Sequence, residues 1–456
     1  MSVSDAQYEE MSRRVLAAMQ RLEMALLENA QLKIREAVLQ KLLAQARGET
    51  PAPTVPPATD GKPRQLLLDI HRLARSYRQT GIERVLAGLV GEFLRKPPEG
   101  FRTEPVYVGD DGTYRYARKF TARLEKRSEE GIAEEPVDGG PGDVFVQLDI
   151  GIFHCLPMAH LCLKLSRQGV RIYYVVYDLL PLLHPHWFLP NTQFLYATWL
   201  RAASQLADGF LCISKSVATD LVQWFNRNRP ERPGPVRIDW FHLGSDIDSS
   251  LPTDGVPEGF DQAIVHLKQL PVVLMVGTVE PRKGYLQAFA AFDRLWRQGT
   301  DAYLVIVGKK GWAMEPLWDL MEKHPEAGRR LLWFQAATDE MLLKLYGAAS
   351  GLLMTSEGEG FGLPLIEAAR HRLPILTRDL PVFREVAGNH ASYFSGTEPE
   401  ALATALEAWL KELAAGTARP SAEMPLLTWE ESYRELSDAL FGERRRLQWP
   451  SPAKSS

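Results

Sequence analysis

The sequence predicts an α/β protein: two doubly wound domains facing a cleft, preceded by a long helix. Three observations carry the prediction. From about residue 65, short apolar runs alternate with helical patterns. A turn-rich stretch at 239–268 interrupts this rhythm, after which a second series of the same kind begins. Ahead of both, residues 8–46 contain no Gly or Pro and repeat on a 3-4 spacing. Two β/α series separated by a linker imply two parallel-sheet domains. In open sheets of that kind, ligands lie outside the carboxyl ends of the strands, so chemistry is expected in the loops that follow them.

The elements follow in chain order. In residues 8–47, Val15, Ala18, Leu22, Ala25, Asn29, Leu32, Glu36, Leu39 and Leu43 form a seam. Such a seam over about four heptads reads as an amphipathic, coiled-coil-forming helix, with Asn29 suited to setting register. Self-association or docking to an assembly partner is expected of it, and packing on the body of the same chain is the alternative. Residues 48–64 are rich in Pro, Thr and Ala and read as an extended spacer. The first domain is expected over 65–248, with buried strands in LLLDI (66–70), DVFVQLDI (143–150), RIYYVVYDL (171–179) and GFLCIS (209–214). Residues 249–268 read as a linker. The second domain, over 269–427, carries runs at 271–279, 302–311, 330–337, 350–357, 373–379 and 391–395. A helix over 428–441 is expected to return to the first domain. The basic tail from 442 to 456 reads as solvated, with contact to an acidic membrane surface the other option.

Composition excludes several classes. The 456 residues are 45% hydrophobic and 24% charged, which is ordinary for globular domains. A net charge of −4 argues against a surface built for nucleic acid. The three cysteines, Cys155, Cys162 and Cys212, have no C-x-x-C spacing and cannot close a disulfide framework. With no apolar stretch of spanning length and no secretory leader pattern, the reading is a cytoplasmic protein, peripheral to a membrane at most.

Three segments carry candidate chemistry. In Ser356-Glu357-Gly358-Glu359-Gly360-Phe361-Gly362-Leu363-Pro364-Leu365-Ile366-Glu367, a strand runs into a glycine-rich loop and then a helix, with Pro364 in its first turn. Gly360 and Gly362 would allow close backbone approach, and the N–H groups at Phe361–Leu363 would hold an anion. A phosphate there puts Glu367 in reach of a ribose diol and Glu359 beside whatever the phosphate carries. The second segment, Val276-Gly277-Thr278-Val279-Glu280-Pro281-Arg282-Lys283-Gly284, offers a glycine turn and two cations suited to a diphosphate. The third, TGIERV (80–85), places Gly81 in a strand–helix turn on the opposite wall. Each alone is also compatible with an ordinary solvated turn.

Together these residues resemble the family-4 retaining glycosyltransferases of GT-B fold, whose domains are Rossmann-like. The resemblance covers about residues 65–441. It rests on Glu-x7-Glu (Glu359 to Glu367) in EGFGLPLIEAA, with EPRKG, TGIERV, FLCISKSVATDL, FHLGSDI and TWEESY in the same order. It implies that Glu367 holds the nucleotide ribose and Glu359 contacts the donor sugar. Lys283, assisted by Arg282, would neutralise the leaving diphosphate. Gly81, Thr278, Gly360, Phe361, Gly362 and Leu363 complete the donor-binding set. Two positions depart from the pattern: Thr278 stands where many relatives have Arg, and Tyr177 stands where His is common, with Asp178 retained as a catalytic candidate. The implied function is metal-independent transfer of a hexose, mannose or a deoxyhexose, from a nucleotide-diphosphate sugar to a glycan or lipid-linked acceptor. GDP-mannose is the expected co-substrate, and no other cofactor is expected. A catalytically weakened scaffold acting through its coiled coil is the alternative, and an epimerase of related architecture a third reading. Asp246-Ile247-Asp248 and the group His154, Cys155, His160, Cys162 resemble metal sites, but the first lies in a turn-rich boundary and the second lacks a closed ligand spacing. His184 and His186 read as cleft-lining or plain surface.

Overall fold

The computed structural model describes residues 63–75, 81–150, 155–232, 234–246, 255–267, 269–442 and 446–450, together with Leu32 and Glu36. Apart from Leu32 and Glu36, the expected coiled-coil seam falls outside the described residues, as do nearly all of the spacer, Thr80, His154, Ile247 and Asp248.

The first sheet has eight strands in the order β14-β7-β6-β5-β4-β1-β2-β3. They are β1 (Arg64–Asp69), β2 (Phe101–Val108), β3 (Tyr114–Tyr116), β4 (Val144–Gln147), β5 (Arg171–Val176), β6 (Gly209–Cys212), β7 (Val236–Trp240) and β14 (Leu447–Trp449). All neighbours pair in parallel except the edge strands β3 and β14. The second sheet is parallel throughout, in the order β10-β9-β8-β11-β12-β13. It contains β8 (Val272–Val276), β9 (Tyr303–Val307), β10 (Leu331–Phe334), β11 (Gly351–Met354), β12 (Ile375–Arg378) and β13 (Ser392–Phe394). The central strands are built around apolar runs, as burial on both faces requires; β8 and β9 are apolar throughout, and in β4 and β9 every residue is buried.

Strands β3 and β7 add to the four expected in the first domain, β7 running into the stretch read as turn-rich, and three further regions differ from expectation. The run FRTEPVYV forms β2 although its charged residues and Pro105 hide it from an apolar-run reading. Within the expected linker, a helix (Phe260–Leu267) packs on the second domain: Phe260 meets Phe334 edge-on at 5.8 Å, and Lys344 reaches Asp261 at 2.5 Å. Residues 255–267 therefore belong to the second domain. Part of the expected solvated tail becomes strand β14, where Trp449 stacks on Phe225 at 5.0 Å and Arg446 covers Trp240.

The helix Trp429–Phe441 opens with a reciprocal cap between Thr428 and Glu431 and returns to the first domain. Trp429 occupies space that two glycines leave open. A Cβ at Gly88 would lie 2.4 Å from its indole, and one at Gly244 would lie 2.6 Å from its backbone nitrogen. Asp246, the first carboxylate of the metal-like motif, accepts the Trp429 N–H at 2.7 Å, which is a helix-capping role. Trp429→Ala is expected to lower unfolding free energy by about 3–5 kcal/mol in urea titrations, because the surrounding glycines cannot fill the cavity.

Candidate active site

Strand order creates the site. In the second sheet the connections reverse direction between β8 and β11. The loop after β8 carries Gly277–Lys283 and the loop after β11 carries Ser356–Gly362, so both flank the switch point, where open sheets bind ligands. Three interactions stitch the two loops together. Thr355 Oγ1 donates to the Lys283 carbonyl at 2.8 Å, Glu357 N–H to the Arg282 carbonyl at 2.8 Å, and Arg282 Nη1 to the Gly358 carbonyl at 3.0 Å. Gly284 permits this contact: its φ is +68°, and a Cβ would lie 2.3 Å from the Thr355 carbonyl oxygen.

Glu359 is held by both cations. Its Oε2 accepts from Arg282 Nη1 at 2.7 Å, its Oε1 pairs with Lys283 Nζ, and Ser356 Oγ donates to Oε1 at 2.9 Å. Burial opposes ionisation, but the Arg282 and Lys283 charges outweigh it and bring the carboxyl down to about 2. The stability contributed by ionised Glu359 is therefore present in full above its ordinary value of 4.5 and is lost as the pH falls through about 2. Comparing wild type with Glu359→Gln by denaturant titration is expected to show their stability difference changing across that window and constant above it. Glu280 lies on the far side of Arg282, whose Nε is 2.7 Å from Glu280 Oε1 but off the line of a hydrogen bond. Burial pushes the Glu280 carboxyl up, against the pull of Arg282 and Lys283.

Asp178 approaches from the first domain, after β5. Its Oδ1 accepts from Leu180 N–H at 2.9 Å, and burial raises its pKa while Arg282 opposes the rise. Tyr177 turns inward: its hydroxyl donates to the Leu148 carbonyl at 2.9 Å and its side chain is buried. Its backbone, rather than its side chain, faces the second domain.

The reasons for the glycines differ from those the sequence suggested. A Cβ on Gly360 would sit 1.9 Å from the Tyr177 carbonyl oxygen, and the Gly360 carbonyl accepts from Ser214 Oγ at 2.7 Å. Gly360 thus provides close approach of the two domains. Gly362 caps the helix Leu363–Arg370 with φ +103°, and a Cβ there would meet the Phe383 ring at 2.9 Å. In the first turn of that helix Pro364 carries no N–H and Leu365 N–H donates to the Gly362 carbonyl at 2.9 Å, which leaves the Leu363 N–H and the helix dipole as its anion-favouring end. Gly81 begins the helix Gly81–Arg95, and the Leu363 side chain lies 3.4 Å from where its Cβ would be, an ordinary contact distance. Phe361 is buried edge-on to the His242 ring at 5.5 Å. Thr278 packs against Gly311 at the neighbouring strand end.

Glu367 belongs to a second, adjacent group. Its Oε1 accepts from Arg84 Nη1 at 2.8 Å and its Oε2 from the Tyr346 hydroxyl at 2.7 Å. Arg84 also reaches Asp339 Oδ1 at 2.5 Å, so one guanidinium of the first domain ties two carboxylates of the second. Although burial opposes its charge, Glu367 and Asp339 raise the Arg84 pKa. The candidate residues therefore form two clusters: Glu359, Arg282, Lys283 and Asp178 in one, Glu367 with Arg84 in the other.

Sequence reasoning gave no role to Arg84, Tyr346, Asp339 or Arg378. Arg84 stood in the quoted TGIERV segment, but its partners lie 283 and 255 residues away. Arg378 braces the glutamate loop from below, donating to the Thr355 and Ser356 carbonyls at 3.1 Å; nothing in its local sequence marks it. The domains are further joined by Glu385, which accepts from the N–H groups of Lys215 and Ser216 at 2.6 and 2.8 Å, and by Trp312, whose indole donates to the Trp187 carbonyl at 2.8 Å. His184 stacks on Trp187 at 4.1 Å beside this junction. Cys162 is buried, and burial pushes its thiol up to about 12. Among the described residues, no group of three or more His, Cys, Asp or Glu is arranged to hold a metal, and no helix is long and apolar enough to cross a membrane.

Residues 259–417 match the family described as Glycosyl transferases group 1. The serotype-specific mannosyltransferase WbdA of Escherichia coli is 40% identical over 379 residues, covering 81% of this chain and 45% of the relative. The chain spans about half the length of the curated relatives it matches. Among solved structures, sucrose-phosphate synthase from Thermosynechococcus elongatus aligns with TM-score 0.59 at 15% identity, over 83% of this chain and 98% of that one. Anabaena Alr3699/HepE in complex with UDP and glucose aligns with TM-score 0.56 at 15% identity, over 82% and 98%. At that identity the two structures speak for a shared fold alone.

Proposed function

We propose that the chain, whose residues 259–417 match the family described as Glycosyl transferases group 1 and whose fold is GT-B, is a retaining hexosyltransferase of polysaccharide synthesis. The observation that carries the reading is the convergence of Glu359, Arg282 and Lys283 at the switch point, next to an open helix start. The mannosyltransferase names of the relatives favour GDP-mannose as donor and a glycan or lipid-linked acceptor.

Charge dictates the mechanism. Breaking the C1–O bond to the β-phosphate sends the bonding pair onto the departing phosphate oxygen and leaves positive charge on the sugar ring. Arg282, Lys283 and the helix start stabilise the leaving charge, and ionised Glu359 steadies the ring. The acceptor hydroxyl forms the new C1–O bond on the same face and gives its proton to the departing phosphate. Before donor arrives, the two cations are held by Glu359, so they are in place without reorganisation. Glu367, oriented by Arg84 and Tyr346, accepts from the ribose diol. The chain itself supplies the cations, so transfer is expected to persist in EDTA.

Calorimetry with GDP and GDP-mannose on wild type and Glu367→Ala tests the reading, with NMR of the product anomer. Donor-dependent heat in wild type, its loss in the variant and an α-linked product support it; unchanged nucleotide affinity in the variant removes the ribose role. Self-association through residues 8–47, with peripheral membrane contact and a cytoplasmic location, is part of the same proposal. A chain starting at Gln65 is expected to sediment as a smaller species than the full chain, and an unchanged state would refute it.

A further inference from the structure

Outside the interdomain crevice, the first domain carries a groove of about 440 Å³ between the helices Thr192–Leu206 and Lys215–Asn228, closed at one end by the helix Leu180–Leu183. We infer that this groove is a distal carbohydrate subsite, which grips the already-built part of an oligosaccharide acceptor while its terminal residue enters the crevice. The inference rests on the transferase reading above and adds to it a site for the growing chain.

Position is the first argument. The closing helix begins two residues after Asp178, which accepts its first N–H. Asp220, on the groove wall, has its carboxyl raised by burial and then by the nearby Asp178 charge. The helix Thr192–Leu206 leads into β6 and Lys215–Asn228 leads away from it. The end bearing Phe194 and Asp220 therefore lies toward the carboxyl ends of the strands, where the chemistry is, and Arg201 and Arg227 lie farther out. Residues 220–228 span about 12 Å at 1.5 Å per helical residue, enough for a short oligosaccharide running away from the crevice.

Chemistry is the second argument. A pyranose presents apolar C–H faces and rims of paired hydroxyls. The groove offers the Phe194 ring, 37% exposed, and the edge of Trp224 for the former. For the latter it offers the planar ends of Asp220, Gln223, Arg201 and Arg227, each able to bond two neighbouring hydroxyls. A lipid surface would ask for basic residues without the opposing carboxylate, and a packing helix for an unbroken apolar stripe. The mixed signs and planar groups here fit a neutral glycan.

The experiment uses the full chain, GDP-mannose, and two acceptors: methyl α-mannoside and an α-linked mannotetraose. Two variants, the double substitution Phe194→Ala/Arg201→Ala and the single Arg227→Ala, change exposed side chains. In wild type, KM for the tetrasaccharide is expected to be about tenfold below that for the monosaccharide; in both variants the gap falls to about twofold, while monosaccharide KM and donor affinity hold. A length dependence that is absent in wild type, or that survives in both variants, overturns the inference. Co-sedimentation with anionic vesicles that the variants lose also overturns it and assigns the face to lipid. If wild type turns over no donor with any acceptor, the transferase reading fails separately, and hydrogen exchange decides the groove. Protection of 192–206 and 215–228 by mannotetraose upholds it, and no protection overturns it.

Discussion

Replacing Lys283 with alanine is expected to lower kcat about 10²–10³-fold, the usual consequence of removing one preorganised stabiliser of developing negative charge. In the proposed mechanism Lys283 acts where the diphosphate leaves. It is also one of two cations that keep Glu359 ionised down to about 2, against the cost of burial. The substitution therefore removes leaving-group stabilisation and loosens the carboxylate at once. Arg282 remains and keeps the loop intact, because its bonds to Gly358 and Glu359 do not depend on Lys283. Melting temperature is expected to fall with the loss of one partner of buried Glu359, while far-ultraviolet circular dichroism at 25 °C is retained and steady-state rates fall. An unchanged kcat/KM would show that the cationic pair is structural, which favours the reading of a scaffold with weakened turnover.

Gly360→Val is expected to cost more than about 10²-fold in kcat/KM, because small displacements of a reacting geometry carry penalties of that size. No chemistry is removed. The side chain instead needs space now held by the Tyr177 carbonyl, 1.9 Å from the first added carbon. It drives the domains apart, breaks the bond from Ser214 and separates Asp178 from Glu359 and its cations. Far-ultraviolet circular dichroism should be retained and the radius of gyration by X-ray scattering should grow. Full activity in an expanded variant would mean that the crevice works open.

The sequence made the strand–helix alternation legible because buried parallel strands carry apolar runs, as in β8 and β9 and over most of β4 and β5. It missed β2, whose charges and Pro105 disguise it, the short β3, β7 with its alternating charges, and β14, which is built from residues that look like a basic tail. The loops carrying Glu359 and the Arg282–Lys283 pair were legible for a chemical reason: glycines, carboxylates and adjacent cations at strand ends have few ordinary uses in such density. Arg84 was hidden in plain view, inside a quoted motif, since nothing local says that its partners are Asp339 and Glu367.

What the sequence determined by itself was which residues carry charge and which loops follow which strands, because both are local properties of composition and periodicity. Tertiary structure alone decided that β8 and β11 are neighbours with reversed connections, bringing two loops about 75 residues apart onto one switch point. It also decided that Gly360 is needed for domain contact and that Glu367 is tied to Arg84 from the other domain. Those facts depend on strand order and interdomain distance, which arise from packing the whole chain and leave no local pattern to read.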